Sequence, residues 1–90
     1  MKLSATEIQA QLAHAAGWSV VNDEIRKQFT WANFVAAMQF VNKVAELAEQ
    51  HGHHPDILIQ WNRVTLTLST HDAGGLTTKD FDLAKAANAL

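Results

Sequence analysis

The chain has no cysteine. Disulfides, thiolate nucleophiles and thiolate metal sites are thereby excluded, and the redox compartment is left open. Nor is there an excess of positive charge: seven Lys and Arg against nine Asp and Glu leave a formal charge of −2 and a pI near 6.2. Without a basic field or a run of like charge, direct binding to nucleic acid or to an anionic membrane surface is disfavoured. No apolar run approaches a signal segment or a membrane span, and Met1-Lys2-Leu3-Ser4 leads straight into a polar amphipathic pattern. The expectation is a soluble intracellular protein of the cytoplasm. What is present is 90 residues, 48% of them apolar. That suits one compact domain over residues 1–90 with a modest core, for which self-association is a natural way to bury more surface.

Ser4 and Glu7 have the spacing of a capping box, with Leu3 and Ile8 placed as a hydrophobic staple. They predict a helix to about Ala15 or Ala16, ended by Gly17 in the left-handed conformation. Trp18–Val21 and Glu24–Phe29 flank the turn-like pair Asn22-Asp23 and read as a hairpin. Thr30 is the expected cap of a second helix, from Trp31 to about Gln50. On it Trp31, Phe34, Val35, Met38, Val41, Ala45 and Ala48 form an apolar stripe, taken as the core face, with Phe40, Val44 and Leu47 beside it. So wide an arc fits a deeply buried helix or one that also packs against another subunit. Glu49 lies about five turns beyond Trp31, on the azimuth of the core stripe. It either reaches water through fraying of the helix end or faces a pocket at the edge of the core.

Ile57, Ile59 and Trp61 alternate on one predicted strand, and Val64, Leu66 and Leu68 on the next. A two-residue turn at Asn62-Arg63 pairs Trp61 with Val64, Ile59 with Leu66 and Ile57 with Leu68, all on one face. The same register sets His54 opposite His71, roughly 5 Å apart at the β-carbons, with Pro55 disturbing the ladder there. After Gly74-Gly75, Thr77 and Asp80 repeat the cap-and-acid spacing and open a last helix. The order αββαββα predicts an α+β fold, a four-stranded antiparallel sheet with helices packed on one face.

Three imidazoles, His53, His54 and His71, are thus expected near one another, with Glu49 at the helix end. Histidine, with an unperturbed pKa of about 6.5, suits proton transfer near neutral pH. Glu49-x-x-x-His53-His54-Pro55, Trp61-Asn62-Arg63-Val64, Leu66-Thr67-Leu68-Ser69-Thr70-His71 and Leu76-Thr77-x-x-Asp80 together resemble the pterin-4a-carbinolamine dehydratase family. The resemblance continues upstream through Gly17-Trp18, Phe29, Trp31 and Phe34, and so covers nearly the whole chain. It implies a hydro-lyase that removes water from 4a-hydroxytetrahydropterin, the product left by aromatic amino acid hydroxylases. Quinonoid dihydropterin results, for tetrahydrobiopterin recycling, with no cofactor required. It implies catalytic His53, His54 and His71, substrate contacts from Glu49, His53, His54, Pro55, Thr70, His71, Asp72 and Ala73, and a supporting Asp80. Two departures stand out: Trp61 where tyrosine is frequent in the family, and Ile57 where an aromatic is, the latter loosening stacking on the pterin ring.

The chemistry fits the residues independently. Loss of the 4a-hydroxyl needs a proton delivered to that oxygen and the N5 proton removed, which two imidazoles in opposite protonation states can do. In this reading His53 and His71 transfer protons, His54 positions substrate and Asp80 holds an imidazole in its useful tautomer, while Glu49 binds ring donors or supports a histidine. Asp80 read on spacing alone is equally a helix-capping acid. A zinc site is the rival chemical reading, opposed by the divergence of adjacent histidines on an extended segment. His14 and His51 carry no assigned task. The alternative from another class is a protein-interaction role, since animal members of the family also act as dimerisation cofactors of a homeodomain transcription factor. A homo-oligomer, dimer or tetramer, is expected in either case.

Overall fold

Capping chemistry sets the first element. The computed structural model describes residues Met1–Leu90, and in it α1 runs Ala5–Leu12 behind a complete capping box. Glu7 N–H donates to Ser4 Oγ (3.2 Å), and Ser4 N–H donates back to Glu7 Oε1 (2.9 Å). The Ser4 amide and hydroxyl hold the Glu7 carboxyl below its ordinary value. Their contribution to α1 is therefore present at neutral pH and is lost as pH falls through that lowered value. α1 ends at Leu12, short of the predicted Ala15, because the chain tightens into i→i−3 bonds from His14 N to Gln11 O and from Ala15 N to Leu12 O.

β1 (Ser19–Val21) and β2 (Glu24–Thr30) form the predicted hairpin, with Asn22 at φ +58° in its turn. Thr30 does not cap the next helix. It ends β2 opposite Arg63, and the cap is Asn33, whose side chain accepts Ala36 N–H at 2.9 Å. α2 spans Phe34–His51, so Trp31 precedes it. Asn62 holds Trp31 in place, accepting its N–H at 2.8 Å and donating Nδ2 to its carbonyl at 3.0 Å.

α2 turns a different face to the core from the one expected. Ala37, Phe40, Val44 and Ala48 are buried at helical spacing, whereas Phe34 and Val35 are 48% and 64% exposed. Of the predicted stripe only Ala48 is buried. The rest of it lies about 100° round the helix from the buried face. Left-handed Gly52, at φ +61°, stops α2: His53 N–H reaches back to Ala48 O (3.1 Å) and Gly52 N–H to Glu49 O (3.3 Å).

β3 (Asp56–Gln60) and β4 (Arg63–Leu68) form the second hairpin, in a register two residues from the predicted one. Ile59 pairs with Val64 and Ile57 with Leu66, and the turn is Trp61-Asn62, with Trp61 at φ +53°. Asn62, whose residue type suggested the turn, holds its second position and bonds Trp31, and the positive φ falls to Trp61. A two-residue shift preserves the faces, so the alternation survives while the partners change. The sheet is antiparallel throughout, in the order β1-β2-β4-β3. Ile25, Val64, Leu66 and Leu68 share one core with Phe40 and Val44 of α2 and with Phe81 and Leu83 of α3 (Thr78–Asn88). The fold is thus α+β in the order αββαββα, with a 3₁₀ turn at His71–Ala73 before α3. No helix is long and apolar enough to cross a membrane.

The cap assignment is tested by Asn33→Ala, which should lower stability by about 1 kcal/mol. Urea unfolding followed by circular dichroism should show a lower midpoint and an unchanged slope.

Candidate active site

The turn at Gly52 aims the chain at α3. His53, its side chain 12% exposed, lies with Nε2 2.5 Å from Asp80 Oδ1. Asp80 is the third residue of α3 and 0% exposed. Its other oxygen, Oδ2, accepts the Thr70 hydroxyl at 2.8 Å and the Thr77 N–H at 2.9 Å. Thr70 Oγ1 also lies 2.8 Å from Thr77 Oγ1. An antiparallel bridge to Gly75 pins the Thr70 backbone. A carboxylate without partners would be costly in this interior; three converging donors make its burial tolerable. Asp80 is therefore both things that its spacing allowed, a helix-start acid through Oδ2 and an imidazole partner through Oδ1.

His54 follows on extended chain and diverges from His53, as adjacent residues there must. Its Nε2 lies 2.5 Å from Glu49 Oε2, both side chains being largely exposed. Glu49 neither frays nor faces a pocket. It sits in the last turn of α2 on the solvent side, about three turns beyond half-buried Met38. His71, exposed at the head of the 3₁₀ turn, has no carboxylate partner.

His53, His54 and His71 line one cleft of about 300 Å³, together with Gly52, Ser69, Thr70, Asp72 and Lys79. Strand pairing does not bring them together: the β3–β4 ladder ends at Asp56–Thr67, so His54 and His71 are not the cross-strand pair expected. Ala73 lies in an adjoining cleft of about 600 Å³ that shares Thr70, Asp72 and Lys79. Glu49, Pro55 and Asp80 do not line the histidine cleft; Glu49 and Asp80 stand behind the imidazoles they bind. Sequence reasoning missed Lys79 and named Thr77 only as a helix cap and part of the family motif. Both flank Asp80 at the start of a helix already expected, which was the available signal. A larger concavity, about 770 Å³, lies on the open sheet face around Arg26, Thr65 and Thr67 and contains no histidine. Chemistry, not size, singles out the smaller cleft. No three His, Asp or Glu side chains are grouped to hold a metal ion.

The two histidine–carboxylate pairs should differ sharply in what they contribute to the fold. Asp80→Ala strands the Thr77 N–H and the Thr70 hydroxyl in the interior and should cost about 2–4 kcal/mol. Glu49→Ala should cost under about 1 kcal/mol, because that pair is exposed. Parallel urea titrations measure both.

Comparison with known proteins bears on the whole chain. The family model described as pterin 4 alpha carbinolamine dehydratase matches residues 1–90. A protein of Thermosynechococcus vestitus assigned to that dehydratase is 51% identical over 89 residues, 99% of this chain and 94% of its own. One from Sulfolobus acidocaldarius is 44% identical over 90 residues, 100% of this chain and 99% of its own. Among solved structures, the transcriptional coactivator/pterin dehydratase of Brucella melitensis superposes with a TM-score of 0.95 at 33% identity, covering 99% of this chain and 97% of that one. A pterin dehydratase-like protein identified as a RuBisCO assembly factor in the alpha-carboxysome superposes at 0.69 with 23% identity, over 84% of this chain and 90% of its own, and so shares the fold. A match over the full length, with relatives near half identical, shows that this chain belongs to the pterin-4a-carbinolamine dehydratase family of lyases.

Proposed function

We propose that the protein removes water from 4a-hydroxytetrahydropterin by histidine acid–base chemistry, yielding quinonoid dihydropterin for tetrahydrobiopterin recycling. The observation that carries this reading is the asymmetry of the imidazoles around one cleft. Two have a carboxylate on Nε2, and the third, His71, has none. In the reaction the C4a–O bond breaks and the hydroxyl leaves with an added proton as water. N5 gives up its proton, and its electron pair forms the C4a=N5 bond. His53 and His71 are the proton-transfer residues and His54 positions the ring. Glu49 acts through His54, and Asp80 through His53. Asp72, Ala73 and Pro55 complete the substrate surroundings. No step requires a metal, nucleotide or redox group. The reaction belongs in the cytoplasm, beside the aromatic amino acid hydroxylase that would supply the substrate.

A second reading, a role in protein assembly, is favoured by one observation. β3 is an edge strand whose residues are all exposed, Leu58 among them, and α2 presents Val35 to solvent. Apolar surface on an open edge favours a second copy of this chain, as a dimer or a larger assembly. Charges at Leu58 and Val35 should lower the sedimenting mass without unfolding. A charge at Phe40, which is 3% exposed, would break the core instead.

The catalytic reading is tested by stopped-flow decay of 4a-hydroxytetrahydropterin generated in situ by a pterin-dependent hydroxylase. Wild type should accelerate decay, and His71→Ala should lose about 10²- to 10⁴-fold of that acceleration. Absence of acceleration by folded wild type would leave assembly as the function.

A further inference from the structure

The geometry points to hydrogen bonds that converge on the Asp80 carboxylate, from Thr77 through Thr70 on one side and from His53 Nε2 on the other, and that leave His53 Nδ1 bare as the proton-accepting atom. Thr70 and Thr77 are then positioning residues and not substrate contacts. The catalytic meaning of this assignment rests on the dehydratase reading; the tautomer it fixes does not.

The proton bookkeeping follows from the donors available. Asp80 Oδ2 already receives two, the Thr70 hydroxyl and the Thr77 N–H. A threonine hydroxyl has a single proton. Thr70 gives its proton to Oδ2, so the 2.8 Å contact between the two hydroxyls is donated by Thr77. Every proton on this side of the carboxylate is therefore assigned, and all point toward it. Oδ1 is left with His53 Nε2 at 2.5 Å, and an ionised carboxylate can only accept. Nε2 must carry the hydrogen. A neutral imidazole has one N–H, so Nδ1 is an acceptor with its lone pair free.

Placement supports permanence. Asp80 is 0% exposed and Thr77 is 5% exposed, so the carboxylate that receives these bonds is closed to water. The backbone of Thr70 is paired in both directions with Gly75, through Thr70 N–H to Gly75 O at 3.1 Å and Gly75 N–H to Thr70 O at 3.4 Å, which fixes where its side chain leaves the chain. The Glu49–His54 pair has no comparable backing: both groups are exposed and no hydroxyl stands behind the carboxylate. The structure thus holds one of its three imidazoles in a single tautomer.

The experiment is long-range ¹H–¹⁵N NMR of histidine-labelled protein, combined with steady-state dehydration kinetics. In wild type, His53 should show a protonated Nε2 and an unprotonated Nδ1. Thr70→Val removes, at nearly constant shape, one of the bonds that orient the Asp80 carboxylate, so that Oδ1 can turn from His53 Nε2, and should mix the tautomers. It should also lower kcat about 10-fold or more, with KM changed less than about twofold. Thr70→Ser should restore both readouts. If Thr70→Val does not fold, Thr77→Val serves, with a smaller change in the same direction. An Nδ1–H tautomer in wild type would overturn the proposal, as would a raised KM at unchanged kcat in Thr70→Val, the signature of a substrate contact. Wild type that lacks dehydratase activity yet shows the Nε2–H tautomer would refute the dehydratase reading while leaving the hydrogen-bond chain standing.

Discussion

The carboxylate of Asp80 ties together the three segments that make the site. Its Oδ2 accepts from the residue that caps α3 and from the residue that leaves β4, and its Oδ1 meets the histidine that follows α2. His53 stands 27 residues from Asp80 and Thr70 ten, and their shared partner is buried, where a missing bond is costly and a satisfied network is rigid. A histidine beyond a helix end would otherwise sample many orientations. Here one imidazole is fixed by stability-determining bonds, while its neighbour is held by an exposed glutamate and the third is left without a carboxylate. Three identical side chains around one cleft are thus held in three different ways.

Much of the fold was legible because local chemistry and global packing agree. The Ser4–Glu7 box, the Asn22 turn, the alternation of β3 and β4 and the Thr77–Asp80 helix start each specify their element with residues close in sequence. The failures have a common cause, tertiary bonds that outcompete a local signal. Asn62 is a turn residue, but its bonds to Trp31 go with the second turn position and not the first, so the turn is Trp61-Asn62 and the register moves by two. Thr30 looked like a cap but is held in the β2–β4 ladder, leaving that task to Asn33. For α2, the longer of two apolar stripes was taken as the core face, and nothing local to the helix marked the shorter one. Packing against the sheet and α3 selects Phe40 and Val44, leaving Trp31 and Val41 at the margin of the core and Phe34, Val35 and Ala45 exposed.

The site shows the same division. That His53, His54 and His71 share a cleft was legible, although the reason offered, a cross-strand pairing, was not the one the fold uses. What brings them together is the Schellman turn at Gly52 on one side and the Thr70–Gly75 bridge on the other. Glu49 was placed on the correct azimuth, and the error lay in which side of α2 that azimuth faces. The partnership of Thr70 with Asp80 could not be read from the sequence, since it depends on how the start of α3 meets the end of β4. The same applies to Lys79, whose position in the cleft follows from the orientation of that helix start.

The measurement that bears most directly on this account is the rate of 4a-hydroxytetrahydropterin decay with Asp80→Asn, compared with wild type and with no enzyme, on protein shown to be folded at the assay temperature. Asparagine keeps the shape and removes the charge that faces His53 Nε2. The account predicts that wild type accelerates decay and that Asp80→Asn loses at least about tenfold of the acceleration. An unchanged rate in the folded variant would contradict it.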